Sequence, residues 1–353
     1  MTTQIDTGIL YLSRKDVERA CQDIDSVAIM RTVFRLHGNG QTILPAEAYL
    51  SWTNERDESV RSLNMPGYLG STLQVAGTKI INSNPANPAH GLPRASGLTL
   101  LFESNSTRIT CVMEGAYISS LRTASVTVLA TEVFGTAKIE HIAIIGAGVL
   151  AQAHVELVLK RHAHFLDVQC IHIFDLEADR ITALWHKLAP QLKENDIALH
   201  IASSAEEAIR AAQLIVPATT TTAGYIQFDW LQPGACLVNI SLDDPLPEVV
   251  LRADKVIVDD WQLVKDDPRR LLGRMYRAGQ IVGPDEATGE SAHNCRRIDA
   301  QLGEVIAGIK PGRQHADEII LVNPFGLAIE DVALAAHVYQ AALSQQIGLQ
   351  LER

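Results

Sequence analysis

The sequence predicts an α/β protein in which a doubly wound parallel sheet is inserted into a mixed α+β substrate domain. Three observations predict it. From His141 onward, short apolar runs alternate with amphipathic stretches: "HIAIIGAG", "VLAQAHVELVLKR", "VQCIHIFD", "LEADRITALWHKL", "IALHIAS", "AEEAIRAAQ". The segments on either side of that block have another texture, with short helices and strands broken by turn residues. And 353 residues exceed what one hydrophobic core usually holds.

In chain order, apolar residues recur at helical spacing from Val17 to Leu36, and "HGNGQ" ends that helix. "NSNPANPAHGLPRASG" is a turn-rich connection. "TLLFESNSTRITCVMEG" reads as two strands joined by a polar turn at Ser104–Thr107, and "SLRTASVTVLATEVFG" as a helix closed near Gly135. The alternation then begins, continuing through "LIVPATT", "ACLVNIS" and "KVIVDD". Apolar strands flanked by amphipathic helices call for a parallel sheet covered on both faces. The tail "DEIILVNPFGLAIEDVALAAHVYQAALSQQ" reads as a strand, a glycine turn and a long helix, of the first region's texture. The expected domains are therefore 1–128 plus 317–353, and 129–316.

Composition narrows the function. Hydrophobic residues make up 47% and charged residues 20%, as in ordinary folded proteins, and the formal net charge is -11. Without an excess of Lys and Arg, a nucleic-acid partner is not expected. Neither a secretory signal nor a membrane span is expected, because no basic segment precedes an apolar run and no long apolar stretch occurs. The five cysteines are odd in number and form no CxxC pair, so buried thiols and a cytoplasmic location are expected, and no metal site.

Gly146-Ala147-Gly148-Val149-Leu150-Ala151 matches the GxGxxG/A fingerprint directly after a strand and directly before a helix. The first glycine permits a tight turn, the second lets backbone approach a pyrophosphate, and the small Ala151 lets helix and strand pack closely. The parallel sheet is thus Rossmann-type, and Gly146, Ala147, Gly148, Val149 and Leu150 are candidate cofactor contacts. Asp175 ends the next strand, 27 residues after Gly148. A carboxylate there bonds an adenine ribose hydroxyl and repels a 2′-phosphate, favouring NAD, though Arg180 stands close by. Asp175 also reads as an N-cap of the following helix. Thr219 and Thr220, after one strand, and Ser241, after another, are candidates for the nicotinamide side of the cofactor; the threonine run also reads as a plain polar loop.

Lys79 in "AGTKIINSNPANP" and Arg122 in "ISSLRTAS" are cations among small or apolar neighbours, Arg122 at a helix start. Such cations need an anionic partner, either a buried carboxylate or a substrate carboxylate. Asp243 and Asp244 in "VNISLDDPLPEV" follow a strand of the sheet block and are placed to take a proton or activate a water. Asp-Asp-Pro is equally a turn sequence. The pairs Asp259–Asp260 and Asp266–Asp267 read as solvated faces and turns.

Together these segments resemble the ornithine cyclodeaminase/mu-crystallin family over nearly the whole chain. The matching stretches are "GTKIINSNPANP", "RASGLTLLFES", "CVMEGAYISSLRTASVTVLA", "IAIIGAG" and "NPFGLAIEDVA". Within the family, "FDWLQPGACLVNIS", "KVIVDDW" and "AQLGEVIAGIKPGR" are similar to a siderophore-biosynthesis subgroup that makes 2,3-diaminopropionate. That resemblance implies NAD-dependent oxidation of N-(1-amino-1-carboxy-2-ethyl)-glutamate, an amino-acid substrate, to 2-oxoglutarate and L-2,3-diaminopropionate. It further implies a homodimer formed through the substrate domain, Lys79 and Arg122 as substrate-carboxylate ligands, and Asp243 or Asp244 as the catalytic acid. Arg94 in "GLPRASG" would bind an extra carboxylate of a larger substrate or serve the structure. The alternatives within the same resemblance are an ornithine cyclodeaminase, an opine-type dehydrogenase, a ketimine reductase and a non-catalytic mu-crystallin-like binder. The cyclodeaminases carry an early arginine in a "PxR" segment, and the equivalent "ILPAEAYLSW" lacks it.

Overall fold

The computed structural model describes residues 8–136, 138–165, 167–286 and 295–352 and comprises two compact units: Met1–Arg122 with Leu327–Arg353, and Thr123–Gly326.

The first unit is built on an eight-stranded sheet. Its strands run in the order Leu349–Leu351, Ile9–Leu12, Ile109–Glu114, Ala95–Phe102, Val75–Ser83, Ser59–Leu69 and Thr42–Ile43, with Ala48–Thr53 also paired to Ser59–Leu69. All neighbours are antiparallel except Ile9–Leu12 beside Ile109–Glu114. The single helix expected over 17–36 is two, Arg14–Ala20 and Ser26–Gly38. The break has a local cause: the Asp25 carboxylate accepts the Ala28 amide at 3.1 Å and caps a new helix.

The long helix Ala328–Gln345 lies on this sheet, and two glycines set how closely. Gly67 and Gly77 face each other across adjacent strands. A Cβ on Gly67 would meet the Ile329 side chain at 3.1 Å, and one on Gly77 would meet Val332 at 3.1 Å. Bare backbone at both positions lets the first turns of the helix sit against the strands. Lys79, two residues beyond Gly77 and on the same sheet face, thereby comes within reach of that helix.

The second unit holds an eight-stranded sheet in the order Ala198–Ile201, Cys170–Phe174, His141–Ile145, Leu214–Pro217, Cys236–Val238, Ile320–Asn323, Lys255–Val258 and Ala300–Gln301. All these pairs are parallel. Ile142, Ile144, Ile171 and Ile173 are fully buried, as strands covered on both faces require. Helices Val149–Phe165, Ala178–Glu194 and Ala205–Arg210 follow the first three strands in sequence. The sheet is the Rossmann-type doubly wound sheet that the sequence pattern predicts.

Two expectations are corrected here. Ile320–Asn323, expected with the first region, is a central strand of the parallel sheet, paired on one side with Cys236–Val238 and on the other with Lys255–Val258. Its apolar run Ile320-Leu321-Val322, fully buried, is the signature of a strand covered on both faces. The acid pairs are not all solvated: Asp259 is buried and accepts the Gly326 amide at 2.6 Å, and Asp267 is buried against Arg269 at 2.7 Å. All five cysteines are free. No helix among the described residues is long and apolar enough to cross a membrane.

Candidate functional site

The first unit gathers four charges in its interior. Lys79 leaves the middle of strand Val75–Ser83, and Arg122 leaves the second turn of helix Ala116–Phe134, inside that helix and not at its start. Glu330 and Asp331 occupy the first turn of Ala328–Gln345 and are fully buried. Lys79 Nζ donates to Asp331 Oδ2 at 3.2 Å and to Ser119 Oγ at 2.9 Å. Arg122 Nη1 donates to Glu330 Oε2 at 2.8 Å, and its Nε lies 3.3 Å from Asp331 Oδ2. The partner the sequence left open is thus a buried carboxylate pair on a distant helix. Two cations and two anions balance, which is what makes their burial tolerable.

The quartet is not saturated. Asp331 Oδ1 and Thr99 Oγ1, the latter on the residue paired with Lys79, are buried without a hydrogen-bond partner among the described residues. A buried polar atom left unpaired costs about 1–3 kcal/mol, so such atoms mark a place built for something else. Burial pulls the Lys79 ammonium down to about 8, against the attraction of Asp331 and helped by the repulsion of Arg122. Arg94 is exposed and donates to Ser83 Oγ at 3.2 Å. Arg61 is paired in register with Ser83, so two guanidinium groups flank that serine. Ser83 lies on the same sheet face as Lys79, roughly 13 Å further along the strand.

The second unit carries the glycine loop. Gly146 has φ +102°, and a Cβ there would come within 2.7 Å of the Ala218 carbonyl, so the tight turn requires glycine. Around Gly148 there is open space, with nothing within 4 Å of a Cβ position. Ala151 is fully buried, and Val149 at the helix start is exposed. Leu150 gives its carbonyl to His154 Nδ1 at 2.7 Å. Asp175 Oδ2 accepts the Ala147 amide at 2.7 Å, and Oδ1 accepts the Glu177 amide at 2.9 Å. Asp175 therefore ties the glycine loop to the neighbouring strand, and the N-cap position of the next helix belongs to Glu177. A left-handed glycine, an open cradle and an exposed helix start fit a dinucleotide pyrophosphate.

Beyond the adjacent strands, Asp244 is fully buried under three hydroxyls. Thr219 Oγ1 donates to Oδ1 at 2.7 Å, Tyr225 OH donates to Oδ1 at 3.0 Å, and Ser241 Oγ meets Oδ2 in a short contact. Thr220 is exposed and outside this cluster. Ser241 Oγ also lies 3.0 Å from the Pro217 carbonyl, an acceptor without a hydrogen. One hydroxyl hydrogen serves only one of those two acceptors. A proton on Asp244 Oδ2 resolves the conflict: Asp244 donates to Ser241, and Ser241 donates to Pro217. Burial pushes the Asp244 carboxyl in the same direction, above its ordinary range, against the pull of the three hydroxyls. Asp243 differs: its Oδ1 lies 3.1 Å from Arg274 Nη2, and it lines a cavity of about 280 Å³ with Gly224, Leu246, Leu271 and Met275. The two adjacent acids are thereby told apart, one buried among three hydroxyls and the other beside a guanidinium.

Glu330, Asp331, Ser119, Thr99, Tyr225 and Arg61 do not stand out in the sequence. The nearest signal is "AIEDVALAAH", two acids opening an otherwise apolar helix.

Comparison with known proteins agrees with this architecture. The description "Ornithine cyclodeaminase/mu-crystallin family" matches residues 10–346. The chain is 32% identical over 347 residues to the N-((2S)-2-amino-2-carboxyethyl)-L-glutamate dehydrogenase of Staphylococcus aureus, covering 97% of this chain and 98% of that one. It is 27% identical to the alanine dehydrogenase of Archaeoglobus fulgidus, again over 97% and 98%. Among solved structures, CmnK superposes with a TM-score of 0.87 at 33% identity, covering 98% of both chains.

Proposed function

This chain belongs to the ornithine cyclodeaminase/mu-crystallin family, and from that premise we propose that it is an NAD-dependent dehydrogenase of amino-acid conjugates. Its substrate is N-((2S)-2-amino-2-carboxyethyl)-L-glutamate, and its products are 2-oxoglutarate and L-2,3-diaminopropionate. The observation that carries the reading is the unsaturated charge quartet of Lys79, Arg122, Glu330 and Asp331, a site for a carboxylate beside an ammonium or amine.

Gly146, Ala147, Gly148, Val149, Leu150 and Asp175 would hold NAD, which when bound would supply the two-electron acceptor. The chain's own residues bind and move protons. Lys79 and Arg122 clamp the α-carboxylate of the glutamate moiety, and the fixed geometry is itself a large part of the rate. Loss of the Cα hydrogen with its electron pair from the neutral secondary amine converts the Cα–N bond to an iminium, which keeps its N–H. Water adds to that carbon, and the C–N bond breaks. Asp244, held protonated, delivers a proton to the leaving nitrogen and regains one from the adding water. Thr219, Tyr225 and Ser241 position that carboxyl. Arg94, with Arg61, takes a further carboxylate of the substrate. The diamino acid released is a building block for siderophores or related natural products.

Two features favour this reading over ornithine cyclisation. The early arginine of the cyclodeaminases is missing from "ILPAEAYLSW", and the paired Arg61 and Arg94 suit a substrate richer in carboxylates. The homodimer implied by the family forms, in this account, through the first unit, where strand Ala48–Thr53 exposes Tyr49, Leu50 and Trp52. The test is product analysis. Protein incubated with NAD and the conjugate should release 2-oxoglutarate and 2,3-diaminopropionate in equal amounts, and proline formed from ornithine would refute the assignment.

A further inference from the structure

Across three neighbouring strands of the parallel sheet, starting from the one that leads into the glycine loop, a sulfur and several imidazoles come together. His141 begins its strand, which ends at Ile145 just before Gly146. In register, His141 pairs with Cys170, and Cys170 with Ala198; two residues on, Ala143 pairs with His172, and His172 with His200. Because side chains alternate along a strand, His141, Cys170, His172 and His200 all project from one face of the sheet. His141 Nδ1 lies 3.0 Å from His172 Nε2, and one ligand atom each from His141, Cys170 and His172 lies within 4.8 Å of the others. His200 follows, its ring centroid 5.2 Å from that of His172, with its Nε2 held 3.0 Å from Glu207 Oε1.

Packing alone leaves this cluster short of partners. His172 Nδ1 is buried and has no hydrogen-bond partner among the described residues. Cys170 is a free, partly buried thiol whose hydrogen-bond contact is with the His200 backbone. Nothing in the proposed reaction uses any of these groups.

We propose that His141, Cys170 and His172 bind a transition-metal ion of the zinc type, with His200 or water completing the coordination. Two imidazoles and one thiolate are the donor set that zinc favours, and a fourth open position is common around it. Tetrahedral zinc with Zn–N near 2.0–2.1 Å and Zn–S near 2.3 Å sets ligand atoms roughly 3.3–3.6 Å apart, so on binding the two imidazole nitrogens at 3.0 Å open slightly while separations toward 4.8 Å close by roughly 1 Å. Glu207 on His200 matches the carboxylate that commonly orients a ligating imidazole. Binding displaces the Cys170 thiol proton to solvent and changes no oxidation state. Joining strand His141–Ile145 to strand Cys170–Phe174, and to Ala198–Ile201 where His200 ligates, the ion staples neighbouring strands together, so its role is structural.

The test is titration of the full-length protein with Zn2+ by calorimetry and with Co2+ by absorbance, in parallel with Cys170→Ser and His172→Gln. One ion per chain is expected, with a cobalt–thiolate charge-transfer band that Cys170→Ser abolishes. Affinity should fall about tenfold or more in either variant, while NAD binding, read by fluorescence, stays as in the unaltered protein and certifies folding. Absence of the cobalt–thiolate band in the unaltered protein would overturn the proposal. So would zinc binding in either variant as strong as in the unaltered protein.

Discussion

Replacing Asp244 by Asn separates proton delivery from structure. The amide oxygen of Asn takes the place of Oδ1 and accepts from Thr219 and Tyr225, while the amide nitrogen donates to Ser241, leaving the serine hydrogen for Pro217. The contacts to Thr219, Tyr225 and Ser241 survive and one amide hydrogen is left over, so Asp244→Asn should lower folding stability by about 1–3 kcal/mol, one buried donor's worth. Asp244→Ala instead strands the Thr219 and Tyr225 hydroxyl hydrogens in a buried site, at about 1–3 kcal/mol each. Turnover should behave differently, because neither variant can deliver a proton, and a positioned acid is worth roughly 10²–10⁴-fold. Asp243→Asn, which loses only the Arg274 contact, should keep most of its rate. Denaturant midpoints measure the first effect, and single-turnover release of 2-oxoglutarate measures the second. The reasoning fails if Asp244→Asn turns over within a few-fold of the parent, or if Asp243→Asn loses as much. It fails also if Asp244→Asn is as unstable as the alanine variant, since the carboxyl would then be ionised in the resting protein.

Further outcomes follow from the same geometry. Lys79 must be charged to hold a carboxylate, and its ammonium is lowered to about 8; inhibition by 2-oxoglutarate should weaken about tenfold per pH unit above that value, and Lys79→Met should remove the dependence. An inhibition that strengthens above pH 8 would contradict the role. Gly146→Ala places a side chain at φ +102° and 2.7 Å from a carbonyl, so a stability loss of about 2–4 kcal/mol is expected. Gly148→Ala meets open space and should fold normally, yet bind NAD at least about tenfold more weakly. His154 is buried and neutral, its imidazole lowered by burial to about 4, so its folded-state value lies below the unfolded one. The stability it contributes is present above about pH 6.5 and is lost as pH falls through 4, about 3 kcal/mol in all; His154→Gln should flatten that slope in acid denaturation. Leu50→Lys with Trp52→Glu should shift the protein to monomer in sedimentation velocity, and a monomeric parent would refute the dimer.

Local signals carried the sequence reading furthest. The glycine fingerprint is legible because strand, loop and helix are contiguous, so the turn geometry of Gly146 and the packing of Ala151 are written in six residues. The quartet was only half legible. Lys79 and Arg122 stood out as cations in apolar surroundings, but Asp331 is 252 residues from Lys79 in sequence. No periodicity reports a contact made only when a helix settles onto a glycine pair. Texture assigns strand Ile320–Asn323 to the wrong sheet, because chain order does not say that a late strand returns to the centre of an earlier one. Asp243 and Asp244 stayed equivalent in sequence because neighbours in a turn face opposite ways, and only the positions of Thr219, Tyr225 and Ser241 distinguish them.

The most direct test of the central claim is absorbance at the NADH band with purified protein, NAD and the glutamate conjugate, beside ornithine and alanine controls. NADH should accumulate with the conjugate alone, one for each 2-oxoglutarate released. Accumulation with alanine alone, or turnover of ornithine with no net NADH, would contradict it.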